Sequence, residues 1–543
     1  MARILVVIPA RGGSKGIPRK NLRKLLDRPL IAYSINVALR SKYDPDVYVS
    51  TDDEEIEDIS KKYNACVLRR DSLNSQDNTT LDPVIYDAYL KISANKEKEY
   101  DLIVTLQPTS PLLKVESLDK AIEQIINNKN IDTIISATDD THLTWKKVEK
   151  NYVPNYTERL NRQYLEPLYK ETGGFMITRS SVISETSRIG KNVDLYLLTG
   201  SEAIDVDTYE DWSLCEYHLR HRKILFVVSG NKSIGLGHVY NCLLLANDIL
   251  DHEVVFLVDN DSSLALEKIK EKNYPVYMQK SEDLIDDIRQ ISPDVIINDR
   301  LDTDTEYMKK LKELSSKIIN FEDLGSGSSM ADLVVNAMYP EKEIFPNHYY
   351  GHKYFVLRDE FILTPAKKVA KEVRNVLLSF GGVDPNNYTH KVVESIYQYC
   401  LSSNIHITII CGFGYQKIDT LKPYDEITII ENTMSIADII SKSDIVFTSA
   451  GRTTFETASL HVPAIVLAQN KREETHFFAS EENGFVNLGL GKNVSKQHIL
   501  QVFMDVAESY DTRKHMSNLM SSTSLKDGRK VVNSLIKSVI QSV

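Results

Sequence analysis

The sequence predicts an α/β chain: one Rossmann-type domain followed by a two-lobed module of two more Rossmann-like domains. Three observations carry this reading. Short apolar, β-rich runs alternate with helical patterns along the whole chain. A sheet-opening strand recurs three times, as Ile4-Leu5-Val6-Val7-Ile8, Ile224-Leu225-Phe226-Val227-Val228 and Val376-Leu377-Leu378-Ser379. Each of these leads into a glycine-containing turn. Continuous apolar strands separated by helices argue for parallel sheets covered on both faces.

In chain order, the first domain has candidate strands at residues 4–8, 47–50, 102–106 and 133–136. The second has them at 224–228, 254–258 and 295–298, and the third at 376–379, 407–410, 445–448 and 464–467. The first domain is assigned residues 1–222, ending after a polar, basic helix end. The lobes are assigned 223–372 and 373–543, divided at the charged stretch 367–372. A chain of 543 residues accommodates this, since domains average about 150 residues.

Net charge is −11, which argues against a general nucleic-acid binder, so the basic residues near the start serve something local. The five cysteines are scattered with no Cys-x-x-Cys pair, which disfavours a disulfide framework or structural zinc and favours a reducing cytoplasm. The first apolar run is too short for a signal peptide core plus cleavage site. No stretch approaches the ~18 apolar residues that cross a membrane.

The first strand runs into Pro9-Ala10-Arg11-Gly12-Gly13-Ser14-Lys15-Gly16-Ile17-Pro18-Arg19-Lys20-Asn21. Glycines let backbone N–H groups approach phosphate closely, and the lysines and arginines neutralise its charge. The loop is neither Gly-x-x-x-x-Gly-Lys-Ser/Thr nor Gly-x-Gly-x-x-Gly. It resembles the signature loop of the N-acylneuraminate cytidylyltransferases, whose fold is that of the nucleotide-diphospho-sugar transferases. Four further segments carry that resemblance over about residues 1–220: Val49-Ser50-Thr51-Asp52-Asp53; Leu68-Arg69-Arg70 with Leu73 and Asp77-Asn78-Thr79-Thr80; Leu106-Gln107-Pro108-Thr109-Ser110-Pro111; and Ile204-Asp205-Val206-Asp207-Thr208. The Val49 and Leu106 segments run out of candidate strands, and ligands of parallel sheets bind at the carboxyl ends of strands.

The resemblance implies attack of a sugar's anomeric hydroxyl on the α-phosphate of CTP, with pyrophosphate leaving. Positioning and charge neutralisation drive such a reaction. Asp205 and Asp207, spaced i, i+2 on an extended segment, point the same way and suit Mg²⁺, with Mn²⁺ as a substitute. By resemblance, Lys15 and Lys20 stabilise phosphate charge, Lys20 in a catalytic role. Arg11, Gly12, Gly13, Ser14 and Asn21 complete the loop, and Arg69 and Gln107 contact nucleotide and sugar. Arg162, in Asn161-Arg162-Gln163-Tyr164, matches a family segment that reaches a partner subunit. It implies a cation for the sugar carboxylate and a homodimer. An exposed helical arginine is the alternative. Two departures touch substrate choice: Thr172-Gly173-Gly174-Phe175 replaces the family's Asn-Gly-Ala before an aromatic residue, and Leu113-Lys114 stands where an arginine often follows Pro-Thr-Ser-Pro-Leu. The implied substrates are CTP and a nine-carbon acidic sugar.

In the second half the first turn reads Ile234-Gly235-Leu236-Gly237-His238. A histidine at a helix N-terminus has its charged form disfavoured and suits a neutral base. The second lobe supplies Gly381-Gly382-Val383-Asp384, then Ser449-Ala450-Gly451-Arg452-Thr453-Thr454-Phe455-Glu456, then Gln469-Asn470. Glu456 is expected on the first turn of a helix, accepting from ribose hydroxyls. The pattern resembles the glycosyltransferase-B architecture and, over about residues 223–520, the UDP-sugar hydrolase of pseudaminic acid biosynthesis. The segment Tyr354-Phe355-Val356-Leu357-Arg358-Asp359-Glu360-Phe361 adds to it. That family has an arginine three residues after the histidine, where this chain has Asn241. The resemblance implies a UDP-sugar ligand, with His238 taking a proton from water. A glycosyltransferase, or a non-catalytic sugar-nucleotide-binding module, uses the same cleft and stays open at this point.

Overall fold

This computed structural model describes residues 2–13, 16–71, 79–231, 235–340, 345–412, 414–431, 433 and 435–543. Ser14, Lys15, Leu73, Asp77, Asn78, Lys232 and Ile234 lie outside the described residues. The chain divides into two compact units, Met1–Arg220 and His221–Val543.

The first unit contains β1 (Ile4–Pro9), the short pair β2 (Lys24–Leu25) and β3 (Arg28–Pro29), β4 (Asp46–Thr51), β5 (Cys66–Arg69), β6 (Leu102–Leu106), β7 (Thr133–Asp139), the hairpin β8 (Trp145–Val148) and β9 (Asn151–Pro154), β10 (Tyr169–Arg179) and β11 (Val193–Leu197). Seven strands form one sheet in the order β11-β7-β10-β6-β1-β4-β5. The continuous apolar run of β1 is explained by its two faces. Ile4, Val6 and Ile8 enter one core with Ile31, Ile35 and Val104, while Leu5 and Val7 enter the opposite core with Ile85 and Ile103. The expectation of a purely parallel sheet fails here. β10 runs antiparallel to both β6 and β7. It returns from the exposed arm that holds the β8–β9 hairpin, so it enters the sheet from the opposite end. Its register shifts between Glu171 and Met176, across Gly173 and Gly174, where apolar periodicity is interrupted.

The second unit contains two sheets. One is built from β12 (Lys223–Val228), β13 (Glu253–Val258), β14 (Val276–Met278), β15 (Val295–Asp299), β16 (Lys317–Phe321), β17 (Leu333–Asn336) and β18 (His348–Tyr350). The other is built from β19 (Asn375–Ser379), β20 (His406–Cys411), β21 (Ile427–Glu431), β22 (Ile445–Thr448), β23 (Ala464–Ala468) and β24 (Phe485–Leu490). Their orders are β14-β13-β12-β15-β16-β17-β18 and β21-β20-β19-β22-β23-β24. Every pairing in both is parallel. Each follows the doubly wound order in which the chain builds outward from its first strand, then reverses to the other side. The second unit is thus two Rossmann-like lobes, the glycosyltransferase-B-like arrangement.

The last helix, Gly528–Gln541, follows the second lobe in sequence, yet it packs into the first. Val532, Ile536 and Ile540 join the core of Ile224, Phe226 and Val228. At its start Arg529, nearly buried, pairs with Asp248 at 2.6 Å and Asp359 at 2.5 Å. Among the described residues, no helix is long and apolar enough to cross a membrane.

Candidate functional site

In all three sheets the chemistry-bearing turns sit at the reversal point, between the first strand and the neighbour on its far side. In the first unit this is the gap between the carboxyl ends of β1 and β6. Gly12 N–H donates to Asp52 Oδ1 at 3.2 Å. A Cβ at Gly12 would lie 2.5 Å from Asp53 Oδ2, so close approach of the loop to the β4 end requires glycine there. Nothing crowds Gly13. Asn21, buried, donates from Nδ2 to the Arg11 carbonyl at 3.1 Å and closes the loop on itself.

Lys20 ties this loop to the Asp-x-Asp segment. Its Nζ donates to the Val206 carbonyl at 2.5 Å and Asp207 Oδ1 at 3.1 Å. Gly16 lies against the Asp207 carbonyl, 2.6 Å from where its Cβ would stand. The Val206 N–H in turn donates to Thr109 O, past the end of β6, at 2.8 Å. Phosphate loop, Gln-Pro-Thr-Ser-Pro turn and acidic pair therefore converge. Gln107 is half-buried there, and its carbonyl accepts from Ser34 Oγ at 3.0 Å.

Asp205 and Asp207 differ in setting. Asp207 keeps 74% of its side chain exposed beside Lys20. Asp205 is largely buried, and burial together with the negative charge of Asp207 raises its carboxyl above the ordinary range. Its Oδ1 has no hydrogen-bond partner among the described residues. Gly173 lies directly on that oxygen, 2.7 Å from a Cβ position. Gly173, the glycine that Thr172-Gly173-Gly174 shares with the family's Asn-Gly-Ala, thus packs directly against Asp205.

Arg69 is not brought to the site. It turns outward from the sheet edge to pair with Glu54 at 3.0 Å and Glu57 at 4.0 Å. Neighbouring strand residues face opposite sides, so Arg70 turns inward instead. Its Nε and Nη2 donate to Ser50 Oγ and O at 3.0 and 2.9 Å. Burial lowers it to about 10, with Asp52 and Arg11 as its charged neighbours. Lys114 is turned to the buried Glu202 at 3.4 Å. Arg162 stands exposed on the arm, 3.9 Å from Asp139.

In the second unit the reversal points lie between β12 and β15 in one lobe and between β19 and β22 in the other. Gly235 has φ +78°, a left-handed backbone that favours glycine, and Val383 of the other lobe approaches it. Arg452 Cδ lies 3.3 Å from the Cβ position of Gly237. Gly381, at φ +80°, and Gly382 stand open. The two glycine turns and the Gly451-Arg452 turn therefore face one another within this unit.

His238 starts the helix Gly237–Asn247, as expected. The direction of its shift is opposite to the one a helix start gives. Nδ1 lies 2.5 Å from Asp299 Oδ1, at the buried end of β15. Burial pushes the imidazole down, but the Asp299 carboxylate outweighs it, so the charged form is favoured relative to an ordinary histidine. Helix N-terminal position loses to a direct ion pair. Asn241, where the hydrolase family has arginine, donates to Asp299 Oδ2 at 2.7 Å.

Glu456 departs from its expected place as well. It sits one turn into the helix Arg452–Ser459, buried, and its Oε1 accepts from Arg358 at 2.8 and 3.0 Å. Asn470 Oδ1 caps a following turn, accepting from the N–H groups of Arg472 and Glu473. Arg472 crosses to the first lobe, reaching Asp302 at 3.1 Å and the Tyr339 hydroxyl at 2.6 Å. Arg452 lies over the Phe355 ring at 4.5 Å, and burial lowers it. Glu322, just past β16, is raised to about 7 by burial and by Asp299. Sequence reasoning missed Arg70, Asp299 and Glu322. The available signal was position: each is a charged residue at or just past the carboxyl end of a strand.

A cytidylyltransferase family model matches residues 5–206. An uncharacterized protein of Methanocaldococcus jannaschii is 31% identical over 312 residues, covering 50% of this chain, which spans 64% of that protein. The pseudaminic acid cytidylyltransferase of Campylobacter jejuni is 34% identical over 233 residues, 41% of this chain and 97% of that protein. The CMP-N,N'-diacetyllegionaminic acid synthase of Legionella pneumophila is 35% identical over 224 residues, 39% of this chain and 95% of that protein. With nearly the full length of two such relatives matched, and with the phosphate loop, β6 turn and acidic pair converging at one reversal point, this chain belongs, through its first unit, to the cytidylyltransferase family.

Proposed function

We propose that the chain is a bifunctional enzyme of nonulosonic acid metabolism. Its first unit joins CTP and a nine-carbon acidic sugar to give the CMP-sugar and diphosphate. Its second unit hydrolyses a UDP-sugar. The observation that carries the first reading is the closure of the Lys20 loop onto Val206 and Asp207 beside the β6 turn. The names of the Campylobacter and Legionella relatives support the sugar class.

Asp205 and Asp207 are the residues to hold Mg²⁺ or Mn²⁺. The buried Asp205 Oδ1, without a hydrogen-bond partner among the described residues, supports this. A magnesium held by one or two carboxylates takes phosphate oxygens and water to complete its shell. Bound there, the metal would neutralise charge on the transferring phosphate. Lys20 and Arg11 serve the phosphates, the Gly12–Gly13 backbone allows their close approach, and Arg70 takes the nucleotide-contacting role that the sequence resemblance gave to Arg69. The exposed arm, with Trp145 at 56%, Tyr152 at 69% and Tyr164 at 68% exposure, supports a homodimer in which Arg162 meets the partner's substrate.

In the second unit, facing glycine turns and a histidine support the hydrolase reading. Water attacks the anomeric carbon, its bond to the UDP oxygen breaks, UDP departs with that electron pair, and His238 takes the proton. The test is a screen for CTP-dependent pyrophosphate release over nine-carbon acids, run beside incubation of the full chain with UDP-sugars. Free sugar without an acceptor supports hydrolysis. Acceptor-dependent turnover replaces that reading with transfer, and binding without turnover replaces it with a binding module.

A further inference from the structure

The hydrolase reading uses His238 alone, but the structure gives that histidine two supporting residues on two different elements. Asp299 ends β15, the strand directly beside β12, whose turn leads to His238. It is 1% exposed. Both of its oxygens are used: Oδ1 meets His238 Nδ1 at 2.5 Å, and Oδ2 accepts from Asn241 Nδ2 at 2.7 Å. Asn241 lies on the same helix as His238 and is itself buried at 4%.

We propose that Asp299 is the positioning residue for His238, fixing the ring with its proton on Nδ1 and presenting Nε2 to the cleft as the proton acceptor, while Asn241 locks Asp299 in that orientation. This deepens the hydrolase reading and rests on it for its role in turnover.

The physical argument begins with carboxylate chemistry. An ionised carboxylate only accepts hydrogen bonds, so the ring nitrogen facing Asp299 is the one that carries hydrogen. That leaves Nε2 as the lone-pair nitrogen of the neutral ring. An asparagine amide on the second oxygen donates without adding charge, so it holds the carboxylate without competing for the histidine. An arginine in that position would neutralise Asp299 and weaken its hold on His238. The departure at Asn241 is therefore a working part of the arrangement.

When Nε2 accepts the water proton, the new positive charge forms next to Asp299, inside a site where water does not screen it. The other charged groups facing His238 are Arg452, from the second lobe, and Glu322, past β16. Arg452 opposes the imidazolium and Glu322 favours it. Cys242, on the same helix, lies 3.8 Å from Asp299 Oδ2.

The experiment is ¹⁵N-histidine NMR on the full chain, with His238→Gln identifying the His238 signals. We expect the Nδ1–H tautomer and a titration above that of an ordinary histidine. Asp299→Asn is expected to mix the tautomers and move the titration down, because burial then acts unopposed. Asn241→Ala is expected to move it in the same direction by less, and it serves where Asp299→Asn does not fold. In the hydrolysis of whichever UDP-sugar of a panel turns over, Asp299→Asn is expected to lower kcat about a hundredfold or more with little change in KM, and to shift the acid limb of the pH profile to lower pH. An Nε2–H tautomer in the wild type, or an unmoved titration in both variants, overturns the proposal. Turnover with kcat and pH profile unchanged in Asp299→Asn also overturns it, and leaves the hydrolase reading standing. The expected tautomer and shifts in a chain that hydrolyses no UDP-sugar uphold the positioning and overturn only the hydrolase reading.

Discussion

The two sites use the same place in their sheets and opposite strategies there. In the first unit the charged groups are partly wet: Asp207 is 74% exposed, with Lys20 reaching over to it. In the second, Asp299 is 1% exposed and His238 18%, and the pair is already made. The difference fits the chemistry proposed for each. Polyphosphate brings its own charge and its own metal oxygens, so the protein need only leave carboxylates and cations within reach. A proton acceptor must have its tautomer and basicity set before substrate arrives, which takes a buried, fully bonded partner.

Breaking the first strategy gives the largest expected effect. Asp207→Ala removes a carboxylate from an exposed position, so no cavity forms and the thermal transition is expected to stay put. CMP-sugar formation should fall about a thousandfold, as several kcal/mol of transition-state stabilisation is lost. Near-normal turnover at limiting Mg²⁺ would show the acidic pair is not the metal seat. Breaking the second strategy comes next. His238→Asn should lower UDP-sugar hydrolysis about a hundredfold or more while CMP transfer continues. Hydrolysis that survives would assign the base to another group.

Lys20→Ala sits between the regimes, since its side chain is only 13% exposed but its partner is wet. Turnover with CTP is expected to drop roughly a hundredfold, with a far smaller change in stability. Equal losses in both would make Lys20 a structural strut. The smallest effects sharpen the comparison within one strand. Arg70→Ala should weaken CTP binding measurably in isothermal titration. Arg69→Ala, which breaks only exposed pairs worth about 0–1 kcal/mol, should leave affinity unchanged. The reverse result would mean the loop after β5 re-turns when nucleotide arrives.

That arginine pair marks how far local sequence could reach. The motif Leu68-Arg69-Arg70 led the sequence reading to Arg69 as the cation for the nucleotide, whereas Arg70 is the one that turns inward, because facing depends on where β5 leaves the sheet. The strands themselves were legible: continuous apolar runs such as 4–8, 224–228 and 376–379 need two buried faces, and each has them. β10 was not legible, because Gly173 and Gly174 interrupt its pattern and its direction depends on the arm before it.

What the sequence alone determined was the set of turns. Gly-Gly, Gly-x-Gly and Asp-x-Asp are backbone and side-chain chemistries that local order specifies, since glycine adopts without strain the close approach seen at Gly12 and the φ seen at Gly235. What only the tertiary structure decided was which turns meet. β1 lies beside β6, β12 beside β15 and β19 beside β22 because each chain reverses direction around its first strand. That reversal brings Asp299 to His238 across 61 positions of sequence, and Lys20 to Asp207 across 187. Burial disfavours charge on His238, and a carboxylate at 2.5 Å outweighs it. A direct ion pair in a dry site is stronger than a partial charge at a helix end, and no local pattern encodes that contact.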